Sequence, residues 1–185
     1  MAELTFRQKA QQKAAIDLRA RLTQGDVRQP FTAAIGTISI ALRVCVGRPR
    51  YIGPDGVERQ AECDQIVVVL AMSNADGASP MQYVGWSNTG DEPFGSSHAV
   101  LFDNAGNQYT RAVTSRGLEQ WVGQVNGTRA VGPGETLADV LVFSPPQPKA
   151  TKFTLELPRA NWGMSGTLRV ELPMGRIANF PPLAI

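Results

Sequence analysis

From Pro30 onward apolar residues fall on every second position, and that period dictates what the chain can fold into. Ile38, Ile40, Leu42, Val44 and Val46 alternate with Thr37, Ser39, Ala41, Arg43 and Cys45. Successive side chains on a strand point to opposite faces, so this segment reads as a strand with one core face. The same period returns in Phe153, Leu155 and Leu157, and again in Leu168, Val170 and Leu172. Ile66 to Met72 is apolar at every position, as a strand covered on both faces must be. In Thr136 to Phe143, Leu141 and Phe143 share one face and Val140 and Val142 the other, with Asp139 near the start.

Turn chemistry separates these runs. Pro145-Pro146 stops a strand, because proline has no N–H to give a ladder. Ala99 to Phe102 and Gln108 to Thr110 flank Asp103-Asn104-Ala105-Gly106-Asn107, which reads as a hairpin turn. Tyr83 to Trp86 is a short apolar patch with Trp86 as a core anchor. Residues 47–62 hold two prolines, three glycines and six charged side chains, which predicts a surface loop with an excursion at Pro54-Asp55-Gly56. Residues 114–135 are glycine-rich and weakly patterned. About seven short strands at this spacing predict an all-β antiparallel sandwich. Its expected core is Ile38, Ile40, Leu42, Val68, Leu70, Leu101, Leu141, Phe143, Phe153, Leu155, Leu168 and Val170.

The first 24 residues follow a different rule. They are rich in Ala, Gln, Lys, Arg and Leu, with Gly25 and Pro30 as stop signals, and predict one N-terminal α-helix. Arg7, Lys9, Lys13, Arg19 and Arg21 outweigh Glu3 and Asp17 there. Ala14, Ile16, Leu18 and Leu22 form only a partial apolar stripe. The helix is expected to attach loosely to the sandwich, with a weak membrane-surface or acidic-partner contact as the sharper alternative. The domain reading is therefore 1–29 basic helix and linker, 30–173 sandwich, and 174–185 tail.

Net charge is +2 over the whole chain, far from the basic excess of a nucleic-acid binder, so no nucleic-acid partner is expected. No run approaches 18 apolar residues, and residues 1–22 lack the apolar stretch of a signal peptide. The expectation is a cytoplasmic protein if the chain is complete. If it is part of a longer exported protein, the cell envelope or an extracytoplasmic location is expected. A single histidine excludes a multi-histidine metal site within this chain. Cys45 and Cys63 bracket the 47–62 loop; they stand either bridged across its mouth or as two free thiols.

Several pieces recur in an order that resembles a known family. These are VVVLAMSN (67–74), YVGW (83–86) and the spacing of Leu101, Asp103, Asn104, Gly106, Asn107 and Tyr109. GPGE (132–135) then leads into LADVLVFSPP (137–146), followed by ATKFTLELP (150–158) and GTLRVELP (166–173). Over about residues 31–173 the chain resembles the bacterial immunoglobulin-like domains of unknown function called telokin-like. The resemblance implies an immunoglobulin-like antiparallel β-sandwich serving as a recognition or spacer module in an envelope or signalling system. It implies no catalytic residue.

The residues agree with that expectation. His98 follows Ser96-Ser97 in a loop, but a Ser–His–Asp set needs an acid holding the histidine, and no G-x-S-x-G motif is present. Asp103, Asn104 and Asn107 offer oxygen ligands, yet the same residues are what a hairpin turn requires. Asn126-Gly127-Thr128 matches a glycosylation sequon, a pattern common by chance. No catalytic, cofactor-binding or metal-binding residue is assigned, and no cofactor is expected. Trp121 and Trp162, each beside glycine or polar residues, are the candidate binding-loop anchors, with a buried packing role as the alternative for both. The expected function is a non-catalytic module for protein binding or scaffolding. A carbohydrate- or small-ligand-binding sandwich is the alternative, and assembly through the helix and tail is a further one.

Overall fold

The structure, a computed structural model, describes residues 31–75, 78–87, 98–112, 120–174 and 177–179. The expected helix over 2–24 and most of the tail lie outside the described residues. Within them the chain is all-β and almost wholly antiparallel. In order the strands are β1 (Phe31–Ile35), β2 (Ile38–Gly47), β3 (Arg50–Ile52), β4 (Glu58–Gln60), β5 (Gln65–Asn74), β6 (Met81–Val84) and β7 (Val100–Asp103). They continue as β8 (Gln108–Tyr109), β9 (Gln120–Trp121), β10 (Thr128–Val131), β11 (Thr136–Phe143), β12 (Lys152–Pro158), β13 (Thr167–Pro173) and β14 (Ala178–Asn179). A 3-10 turn, Arg159–Trp162, joins β12 to β13.

Two sheets carry the main core. One runs β1-β2-β5-β11, and the other β13-β12-β7-β8. Their apolar faces meet in one cluster that contains Ile38, Ile40, Leu42, Val68, Leu70, Leu141 and Phe143 from the first sheet. Leu101, Phe153, Leu155, Val170 and Leu172 come from the second. That face-to-face arrangement fits a β-sandwich. Of the expected core only Leu168 is less than buried, at a position on β13, the edge strand of its sheet.

The outer face of the first sheet is ordered in cross-strand rows. The register lines up Cys45, Val67 and Val142, then Arg43, Val69 and Val140. Next come Thr32, Ala41, Ala71 and Ala138, then Ala34, Ser39, Ser73 and Thr136. The valine half is not bare. A third sheet, β4-β3-β9, lies over it, and Val67, Val69, Val140 and Val142 join Trp121 and Ala61 in a second buried cluster, with Tyr51 and Cys45 packed against it. This corrects the expectation for 47–62: the segment is a hairpin of two three-residue strands whose apolar side roofs the sheet. Its strands are too short to show a period in sequence.

The edge of β2 is shared by two segments. β1 pairs with Ile38 to Leu42, and β14 pairs in parallel with Cys45 and Val46. The C-terminal segment occupies the stretch beyond.

Candidate functional site

The fourth sheet is the two-stranded ribbon β6–β10, and residues 122–127 lead from β9 into it. The segment connects two layers. Trp121 belongs to the outer cluster and Val125 to the main core, so the residues between them carry the chain from one layer to the other. Gly85 makes the close approach possible. A Cβ there would sit 2.2 Å from the Val125 carbonyl oxygen, so no larger residue fits without moving backbone. The Gly85 N–H donates to the Gly127 carbonyl at 3.1 Å, tying the ribbon to the segment.

A fully buried carboxylate lies beneath both. Asp139 has the same strand parity as Leu141 and Phe143, and its side chain accordingly points into the core. Its Oδ1 accepts the Val125 and Val140 N–H groups at 2.8 Å each. Its Oδ2 accepts the Tyr83 hydroxyl at 2.5 Å. The Tyr83 oxygen in turn accepts the Trp86 N–H at 3.2 Å. Burial pushes the Asp139 carboxyl up to about 6, while these donors and the Arg111 guanidinium pull the other way. Tyr83 is held well above its ordinary value, first by burial and then by the adjacent carboxylate.

Aromatic packing holds the ribbon from the other side. Tyr83 stacks on Trp162 at 4.7 Å between ring centroids and meets Trp86 edge-on at 5.1 Å. The Trp86 indole donates to the Pro158 carbonyl at 2.8 Å, and Asn161 Nδ2 donates to the Val84 carbonyl at 2.9 Å. The 3-10 turn thus clamps β6 from beneath.

Neither tryptophan singled out as a loop anchor presents its ring to solvent. Trp162 is 3% exposed within the Tyr83 stack, and Trp121 is 7% exposed, its indole donating to the Ala112 carbonyl at 2.9 Å. Their glycine-rich and polar neighbours suggested exposed loops, but a ring of this area gains more by burial. The group that sequence reasoning left unassigned is Asp139. Its shared parity with Leu141 was the available signal, because a carboxylate on a core face must be matched by donors.

The other candidates resolve as structure. Asp103 accepts the Ala105 and Asn107 N–H groups, the Asn107 side-chain amide and the Tyr109 hydroxyl. Its oxygens are filled by the hairpin turn, and the Asn107 amide foremost holds its carboxyl below the ordinary value. Asn104 Oδ1 accepts the Thr151 N–H at 2.8 Å, pinning the next loop. His98 is exposed with Nδ1 3.4 Å from Arg111 Nη1; Ser96 and Ser97 lie outside the described residues. Asn126 of the sequon is exposed and accepts the Gln124 side-chain amide. No group of three His, Cys, Asp or Glu that could hold a metal occurs among the described residues.

The two cysteines are free. Cys45 lies on the outer face against the roofing layer, its thiol 3.7 Å from the Val67 carbonyl and pushed by burial to about 12, while Cys63 is exposed. The loop between them is closed instead by the β3–β4 ladder.

Neither a protein-family model nor a curated protein matches the chain. Among solved structures it is similar to the yjhA protein from Bacillus subtilis, at 12% identity, over 84% of this chain and 100% of that one, with a TM-score of 0.48. A likeness of this degree carries no inference about family or function.

Proposed function

We propose that the chain is a non-catalytic, immunoglobulin-like β-sandwich module of telokin-like type that binds or presents a protein partner. The recognition surface is formed by the β6–β10 ribbon and residues 122–127. The observation that carries this reading is the buried Asp139 carboxylate. Burying a charge is unfavourable, and an apolar residue there would serve the core better. The carboxyl instead ties strand β6 and the irregular segment 122–127 in one geometry, as a preorganised loop surface on a rigid sandwich requires. A carbohydrate-binding reading needs exposed aromatic rings beside polar loops, and Trp86, Trp121 and Trp162 are all buried. The protein-binding reading is therefore preferred.

The test is position-specific photocrosslinking. A photoreactive residue replaces Asn126, exposed on the crossing segment, or Lys149, exposed in the β11–β12 loop. The expected result is a discrete adduct from Asn126, competed by unlabelled chain, and none from Lys149. Identical adducts from both positions, or none from either, would refute the proposed surface.

A further inference from the structure

Asn126 is the one asparagine of the chain that glycine follows, and it lies exposed on the segment between β9 and β10. A short relay of hydrogen bonds holds its side chain. The Trp121 N–H donates to Gln124 Oε1 at 3.2 Å, so the other end of that amide is its Nε2 donor. Gln124 Nε2 donates in turn to Asn126 Oδ1 at 3.0 Å. The Asn126 amide carbonyl is therefore polarised by a donor that is itself fixed to the main chain. Gly127 stands at φ 72° and has no Cβ to shield its nitrogen. Its carbonyl accepts the Gly85 N–H, but its own N–H makes no hydrogen bond among the described residues.

We propose that Asn126–Gly127 is a self-modifying site, at which the Gly127 nitrogen attacks the Asn126 side-chain carbonyl carbon and the residue is converted to aspartyl and isoaspartyl forms. The bond from Gly127 N to Asn126 Cγ forms and the bond from Cγ to Nδ2 breaks. Nδ2 leaves as ammonia, taking up the proton lost from the Gly127 nitrogen. Water, the only co-reactant, then opens the cyclic imide. Attack at the side-chain carbonyl gives aspartate, and attack at the main-chain carbonyl gives isoaspartate. Negative charge builds on Oδ1 as the nitrogen adds, and the Gln124 amide already points there. The inference goes beyond partner binding and stands independently of it.

The fold blocks the same chemistry elsewhere. Asn104 Oδ1 also accepts a donor, the Thr151 N–H, but the next nitrogen belongs to Ala105 and gives its proton to Asp103. The Asn107 amide is tied to Asp103 and precedes Gln108, while Asn74 and Asn161 are buried. At Asp55-Gly56 the carboxylate is paired twice with Arg59, and the Gly56 N–H donates to the Gly53 carbonyl. Conversion at Asn126 places a carboxylate on an exposed turn. The isoaspartyl form also adds a methylene to the main chain between Val125, whose N–H is held by Asp139, and Gly127, whose carbonyl is held by Gly85, so the segment cannot keep both ties unchanged.

The full chain, held at neutral pH and physiological temperature and sampled over weeks, is digested with trypsin at mildly acidic pH and mapped by liquid chromatography and mass spectrometry. The peptide 117–129 is expected to yield two new forms that separate from each other, each heavier by the difference between a hydroxyl and an amino group. Peptides carrying Asn104, Asn107 and Asn161 should stay unchanged over the same period. Asn126→Gln should abolish both forms. Gln124→Glu keeps the acceptor for the Trp121 N–H and removes the donor to Asn126, so it should slow conversion about fivefold, the rate equivalent of one neutral hydrogen bond. In urea the relay is lost, and the unaltered and Gln124→Glu chains should convert at one rate. The unaltered chain should convert at least as fast folded as in urea, and that comparison serves alone if Gln124→Glu does not fold. A folded chain that stays unmodified while the denatured one converts overturns the proposal. So does conversion no faster at Asn126 than at Asn104, or a folded Gln124→Glu chain that converts as fast as the unaltered one.

Discussion

Replacing Trp121 with alanine asks whether the outer layer is part of the fold or an ornament on it. The ring lies over the apolar outer rows of the first sheet, in one cluster with Val67, Val69, Val140 and Val142. It meets Tyr51 edge-on at 5.7 Å, and its N–H satisfies the Ala112 carbonyl. A buried tryptophan removes about 150–250 Å² from water. At about 25 cal/mol per Å² that corresponds to about 4–6 kcal/mol as an upper bound. The thin β3–β4 hairpin can settle toward the hole, which returns part of the loss. The expected cost is about 3–5 kcal/mol, the range for truncating a large buried aromatic. The assay is urea denaturation with linear extrapolation, where the midpoint falls and the slope is kept. Trp121→Phe retains most of the apolar area and loses the indole donor, so it should cost about 1–2 kcal/mol. A loss below about 1 kcal/mol for Trp121→Ala would refute the reasoning and restore Trp121 as a free loop residue.

Truncating Leu155, fully buried between the two main sheets, should cost about 2–5 kcal/mol in the same assay, and a smaller loss would place β12 outside the core. Thiol titration of the unreduced native protein should label Cys63 promptly and Cys45 only after denaturation, with two thiols in total; fewer than two under denaturant would show a bridge. The carboxyls of Asp139 and Asp103 give pH dependences of opposite sign. Asp139 is raised in the fold, so its contribution is present below about pH 4 and is lost as pH rises toward 6. Asp103 is lowered, so its contribution is present above about pH 4 and is lost as pH falls below that value. Thermal melts across pH 2–8 should therefore show both differences growing toward neutral pH but with opposite sign, Asp139→Asn gaining on the native chain and Asp103→Asn losing against it as pH rises; the reverse signs would contradict both assignments.

What the sequence disclosed and what it hid follow from how far each signal reaches along the chain. Alternation is local, so β2, β5, β11, β12 and β13 and their inward faces could be read from it, with Leu168 the one partial exception because an edge strand is covered on one flank only. The turn at Asp103 was legible for the same reason, since its donors Ala105, Asn107 and Tyr109 lie within six residues. Asp139 and Tyr83 stand 56 positions apart, and no local pattern pairs them. The outer layer is the intermediate case. Val67, Val69, Val140 and Val142 announce that something must cover their face, because valines on both sides of a strand do not face water. They do not say what does. The cover is β3 and β4, at three residues each, and β9, at two, all shorter than the window in which a two-residue period can be seen. A charged, proline-bearing stretch between two strands therefore reads as a loop, even when its few apolar side chains, Tyr51 and Ala61, are the ones the sheet needs.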